Sequence, residues 1–131
     1  MMNSSKLFLP ILLLLLVSSC ATETEDCICT QEYRTIIVII LDESGTPVEG
    51  LTTSISDEKG NFYDIEKVYP LAGYYPVMSD KYVREFSTIP KKILFTAVSA
   101  TGEVNGEFFI NTDRCKCHVQ KVSGPDTLVL K

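Results

Sequence analysis

Apolar and polar positions divide the chain into one continuous apolar run and a series of short extended segments. Leu7 to Val17 is almost wholly apolar, with Lys6 the only charged side chain ahead of it. Farther on, Arg34 to Leu41 holds six apolar residues in a row, Ile36 to Leu41, mostly β-branched. That composition predicts a strand buried on both faces. Leu51 to Ser56 alternates Leu51, Thr53 and Ile55 against Thr52, Ser54 and Ser56, the pattern of a half-buried strand. Further strands are predicted at Phe62 to Ile65, Ile93 to Val98, Glu107 to Ile110, Cys115 to Val122 and Thr127 to Leu130. Turn residues separate them at Asp42–Pro47, Asp57–Asn61, Ala100–Glu103, Asn111–Arg114 and Ser123–Asp126. Residues 69–79 hold two prolines and a glycine, which predicts a loop with a short extended piece at Tyr74 to Met78. Asp80 to Phe86 places Tyr82, Val83 and Phe86 on one helical face, enough for a single turn. Short strands with turns at roughly ten-residue spacing mark an all-β sandwich or barrel.

The first apolar run has about eleven residues, while a membrane-spanning helix needs ~20, and Pro10 weakens a long helix further. A basic start, a short apolar stretch and small residues before a cut are the parts of a secretory signal. Val17-Ser18-Ser19-Cys20 resembles the lipobox of bacterial lipoproteins. The resemblance implies cleavage before Cys20, acyl chains on its sulfur and amino terminus, and a lipid-anchored place at the bacterial outer membrane or cell surface. The domains then read as a signal peptide over 1–19, a lipidated acidic tether over 20–26 and one sandwich domain over 27–131. The Thr- and Glu-rich tether loosely resembles surface-export signals of some Bacteroidetes lipoproteins. Without residues 1–19 the mature chain keeps 112 residues, enough for one core. Eleven basic side chains then face seventeen acidic ones, a net of −6. Such a surface is a poor match for nucleic acid, whose binding needs Lys and Arg against phosphates.

Ile37 to Leu51 runs as a hydrophobic strand, then Asp42-x-x-Gly45-x-Pro47-Val48-x-Gly50, then a second strand, with Asp57, Gly60 and Phe62 following. This series resembles the carboxypeptidase regulatory-like, transthyretin-like domain. The resemblance covers about the first thirty residues of the domain; Tyr75-Pro76-Val77 matches the later Tyr-x-Val only in part, and Lys81 to Lys92 is an insertion. It implies an Ig-like/transthyretin-like antiparallel β-sandwich of about seven strands. It also implies an accessory or binding role without catalytic residues or cofactor.

Four cysteines besides Cys20 form two Cys-x-Cys pairs, Cys27/Cys29 and Cys115/Cys117. On strands, side chains at i and i+2 share a face, so two neighbouring pairs form two disulfide rungs. Antiparallel neighbours join Cys27 to Cys117 and Cys29 to Cys115; parallel neighbours join Cys27 to Cys115 and Cys29 to Cys117. Bridging inside each Cys-x-Cys is strained. A bridge across a loop of this length constrains the unfolded chain by roughly 4 kcal/mol. The alternative is a zinc or copper site using Cys27, Cys29, Cys115, Cys117 and His118, although Cys-x-Cys is tighter than the usual ligand spacing. His118, the only histidine, reads as a surface imidazole on a strand, since no nucleophile elbow accompanies it. Turn carboxylates at Asp42, Glu43, Asp57, Glu58 and Asp64 lack the Asp-x-Asp-x-Asp-Gly calcium spacing. Tyr69, Tyr74 and Tyr75 gather in one loop and form a candidate ligand surface for a protein or glycan partner. A third reading is a hydrolase using other, unrecognised residues.

Overall fold

A computed structural model describes residues 26–67 and 71–131. The expected signal peptide at 1–19, Cys20 with the tether as far as residue 25, and Tyr69 lie outside the described residues.

Seven strands form two sheets in chain order: β1 (Thr35–Leu41), β2 (Thr52–Asp57), β3 (Tyr74–Ser79), β4 (Lys91–Val98), β5 (Glu103–Thr112), β6 (Val119–Ser123) and β7 (Thr127–Val129). One sheet has the order β3-β1-β7 and the other β2-β4-β5-β6. The architecture is an all-β sandwich. Every ladder is antiparallel except β1–β7, which is parallel, with Ile39, Ile40 and Leu41 opposite Thr127, Leu128 and Val129. The expected antiparallel sandwich of about seven strands is what is found, with one short parallel ladder added.

The core lies between the sheets and follows the period of two. Inward residues of β5 are Val104, Gly106, Phe108, Ile110 and Thr112, alternating with outward Glu103, Asn105, Glu107 and Phe109. Ile93, Phe95 and Ala97 of β4 and Val38 and Ile40 of β1 meet them, and Phe95 and Phe108 touch edge to face at 6.3 Å. At Gly106 the opposite sheet packs close: an added Cβ there would sit 3.1 Å from the Leu128 side chain and 3.0 Å from Phe108. β1 was expected to be buried on both faces. Only Val38 and Ile40 are, while Ile37 and Ile39 are half-buried, because β1 belongs to a three-stranded sheet with one face outside the core.

Three further expectations change. Tyr74–Ser79 is a full edge strand rather than a loop with an extended piece. Pro76 is tolerated there because it lies opposite Ile37, beside a bulge between Ile36 and Ile37, on a strand with an unpaired edge. Phe62 to Ile65 is not a strand: Phe62 bridges only to Ser56, and the Asp64 backbone turns instead to the Tyr82 hydroxyl, donating to it at 2.9 Å and accepting from it at 3.0 Å. β6 begins at Val119, not at Cys115, because Lys116 takes φ 54° in a turn. Asp80–Glu85 is a 3₁₀ helix, the expected single turn, with Phe86 buried at its end.

Two turns share one design. Asp42-Glu43-Ser44-Gly45-Thr46 and Asp57-Glu58-Lys59-Gly60-Asn61 each place glycine at φ 82°. In each, one aspartate oxygen accepts the backbone N–H groups two and four residues on, at 2.8 and 2.8 Å in the first and 2.9 and 3.0 Å in the second. The glycine N–H returns to the aspartate carbonyl. Asp-x-x-Gly is therefore legible as a turn with a mechanism: the carboxylate replaces missing backbone acceptors and the glycine takes the left-handed step. Both carboxyls are held below their ordinary value, Asp42 chiefly by the Ser44 hydroxyl and Asp57 chiefly by the Asn61 amide. Burial, then the Asp57 charge, push the Tyr63 phenol up to about 12, so it remains a donor to Asp57 at 3.3 Å.

A carboxyl with a lowered folded-state pKa stabilises the fold fully above its unfolded value, and that contribution is lost as pH falls through the folded value. Asp57→Ala is accordingly expected to lower Tm at neutral pH, with the gap to wild type narrowing as pH drops below about 4. Thermal melts from pH 7 downward check this; a gap that stays constant or widens in acid contradicts it.

Candidate functional site

The strand directions define two ends of the sandwich. β1 starts, β5 stops and β6 starts at one end, where Arg34, Thr112 and Val119 meet the segment before β1 and the 3₁₀ helix. The Asp42 turn, the Ser99–Gly102 turn and Lys131 lie together at the other.

At the first end two disulfides fasten the amino-terminal arm to the 113–118 turn. Cys27 pairs with Cys115 and Cys29 with Cys117, each spanning 88 residues, with Cα separations of 5.4 and 5.3 Å. This is the pairing expected of parallel neighbours, although neither segment is a strand. Asp113 shapes the turn: its carbonyl accepts from the Lys116 N–H at 3.1 Å and its carboxylate from the Cys117 N–H at 3.2 Å. All four sulfurs are bonded to sulfur, so no thiolate is left for zinc or copper in this form. No cluster suited to a metal occurs among the described residues.

His118 is buried rather than on the surface, with 6% of its area exposed. Leaving the turn, its backbone carbonyl accepts from the buried Thr112 hydroxyl at 2.8 Å, which turns the ring inward. Its Nδ1 lies 2.7 Å from Asp80 Oδ2 and its Nε2 lies 2.8 Å from Thr30 Oγ1. An ionised carboxylate only accepts, so Nδ1 carries a proton and donates. In the neutral ring Nε2 then accepts from the Thr30 hydroxyl; in the charged ring it donates to it. Both hydrogen bonds survive either state.

Asp80 is the hub. Oδ2 also accepts from the Arg34 N–H at 2.8 Å, and Oδ1 from the Val119 N–H at 2.8 Å. One carboxylate thus joins the start of β1, the start of β6 and the imidazole that holds the arm. Tyr33 adds a second tie, donating to Ser79 Oγ at 3.0 Å and accepting from the Lys81 N–H at 3.2 Å.

Two concavities adjoin this end. A cleft of about 410 Å³ is walled by Tyr33, Thr35, Ile65, Glu66, Ser79 and Lys81. It offers a largely exposed aromatic ring, two hydroxyls and one charge of each sign. A second, of about 510 Å³, is walled by Cys29, Arg84, Cys115 and Lys116.

Of the expected tyrosine surface, Tyr74 and Tyr75 are the two rings among the described residues, and they do not share a face. Tyr75 is in the core, its hydroxyl donating to the Val48 carbonyl at 3.0 Å and accepting from the Leu51 N–H at 3.2 Å. Tyr74 is half-buried in β3, and period-two alternation turns its ring away from that of Tyr75. The residues that sequence reading missed are Thr30, Tyr33, Asp80 and Lys81. Asp80 and His118 are 38 positions apart and Thr30 and His118 are 88 apart, so no local pattern joins them. No protein-family model, curated protein or solved structure matches the chain.

Removing the Asp80 carboxylate leaves two backbone N–H groups and Nδ1 without their acceptor. An unsatisfied buried donor costs about 1–3 kcal/mol, so Asp80→Ala is expected to lose roughly 3 kcal/mol in urea denaturation of the oxidised protein. Thr30→Val, which removes one bond at an exposed position, is expected to lose about 1 kcal/mol or less. Equal losses would contradict the hub.

Proposed function

We propose that the chain is a lipid-anchored, non-catalytic accessory or binding module of the bacterial cell envelope, held at the outer membrane or cell surface by Cys20. The observation that carries this reading is the pair of disulfides on Cys27 and Cys29, which follow the lipobox-like Val17–Cys20 within ten residues. Disulfides persist in exported compartments, and acylation accounts for the odd fifth cysteine, Cys20. The seven-stranded, two-sheet sandwich agrees with the carboxypeptidase regulatory-like, transthyretin-like resemblance. The cleft at Tyr33 and Lys81 is the ligand site in this reading. It suits an extended peptide or a glycan, whose polar edges meet Thr35, Glu66 and Lys81 while the ring supplies contact area.

A second reading has one observation in its favour: Thr30, His118 and Asp80 follow the order nucleophile, base and orienting carboxylate. The same bonds fasten the arm, and neither of the two concavities at this end has Thr30 or His118 among its described wall residues. The clasp is therefore read as structural.

Intact mass of the chain extracted from membranes tests the anchor: the expected species lacks residues 1–19 and carries acyl chains on Cys20. A species without acyl chains contradicts it. Hydrolysis of p-nitrophenyl acetate separates the two readings. Wild type and Thr30→Val are expected to be equally inert, and turnover lost in Thr30→Val establishes the hydrolase.

A further inference from the structure

Ile28 stands between the two bridged cysteines and is 92% exposed. The sulfurs of Cys27 and Cys29 both reach the 113–118 turn, so the side chain between them is held away from the body. On the facing turn Lys116 stands between Cys115 and Cys117 and is also exposed. Lys116 Nζ donates to the Arg84 carbonyl at 3.2 Å, which brings Arg84 into the same surface. Among the described residues, the concavity beside the disulfides has two cations and no carboxylate in its walls, on a chain of net charge −5.

We propose that this end of the sandwich rests on the bilayer that holds the anchor, with Ile28 entering the interfacial layer and Arg84 and Lys116 meeting lipid phosphates. The proposal rests on acylation of Cys20. Cys27 is seven positions from Cys20, a reach of at most about 25 Å when fully extended. The disulfide end is therefore the part of the domain tethered closest to the lipid. A rigid apolar prong beside long cationic side chains has the form of an interfacial contact: the isoleucine leaves water while the cations stay at headgroup level. Glu23, Glu25 and Asp26 share the same connector and oppose an anionic surface. The contact is accordingly with the phosphates of a zwitterionic bilayer, not a net charge attraction. The Asp42 and Ser99–Gly102 turns then point away from the membrane.

The chain contains no tryptophan, so Ile28→Trp is a single fluorescent probe at an exposed position, with Glu43→Trp on the Asp42 turn as control. Both full-length variants, with acylation confirmed by mass, are reconstituted into phosphatidylcholine/phosphatidylethanolamine vesicles. The probe at position 28 is expected to emit at shorter wavelength, to be quenched by brominated lipid and to lose most of its access to aqueous acrylamide. The probe at 43 is expected to stay open to acrylamide, and adding Lys116→Glu is expected to return the position-28 probe toward water. Equal acrylamide access at both positions in acylated protein overturns the contact and leaves the anchor standing. Absence of acyl chains overturns both.

Discussion

Two sulfur–sulfur bonds decide how the rest of this chain is arranged. Cys27–Cys115 and Cys29–Cys117 join segments 88 residues apart, so five of the seven strands, β1 to β5, lie inside the loop they close. In the chain-entropy view such a loop restricts the unfolded state by about 4 kcal/mol, and the second bridge adds little to that. Its effect is geometric instead. Two bridges in matched register remove the swivel that a single bridge leaves, and the arm becomes part of the body. Thr30 can then meet His118, Tyr33 can meet Ser79, and Arg34 can enter β1 with its N–H already held by Asp80.

The chemistry at this end follows from that constraint. A carboxylate with donors from Arg34, Val119 and His118 resembles a catalytic orienter, yet each partner belongs to a different segment that the fold must join. The hydroxyl–imidazole bond is maintained in either protonation state of the ring, as a clasp requires. In the proposed reading, recognition falls to the cleft at Tyr33 and Lys81 and attachment to an acylated Cys20.

The sequence made much of this legible where one local rule governed. β1, β2, β4 and β7 follow from β-branched runs and period-two alternation, and the twin Asp-x-x-Gly turns from glycine and carboxylate chemistry. Reading failed where a distant partner decided. Pro76 and Gly73 read as loop, but an edge position and a bulge let that segment pair with β1. The strand expected at Glu107 to Ile110 runs from Glu103 to Thr112, and its Gly106 leaves room for Leu128 of the opposite sheet. The cysteine spacing foretold bridges and left their pattern open. Nothing near His118 in sequence announced Asp80 or Thr30, whose contacts exist only after the arm has been fastened.

Disulfide mapping with paired serine variants tests that fastening most directly. Cys27→Ser with Cys115→Ser removes one complete bridge; the oxidised protein is expected to show no free thiol on denaturation and to keep its fold. Cys27→Ser with Cys117→Ser breaks both bridges and is expected to expose two reactive thiols, Cys29 and Cys115. The reverse result, thiols in the first variant and none in the second, contradicts the matched pairing on which the arm, the Asp80 hub and the proposed membrane contact all rest.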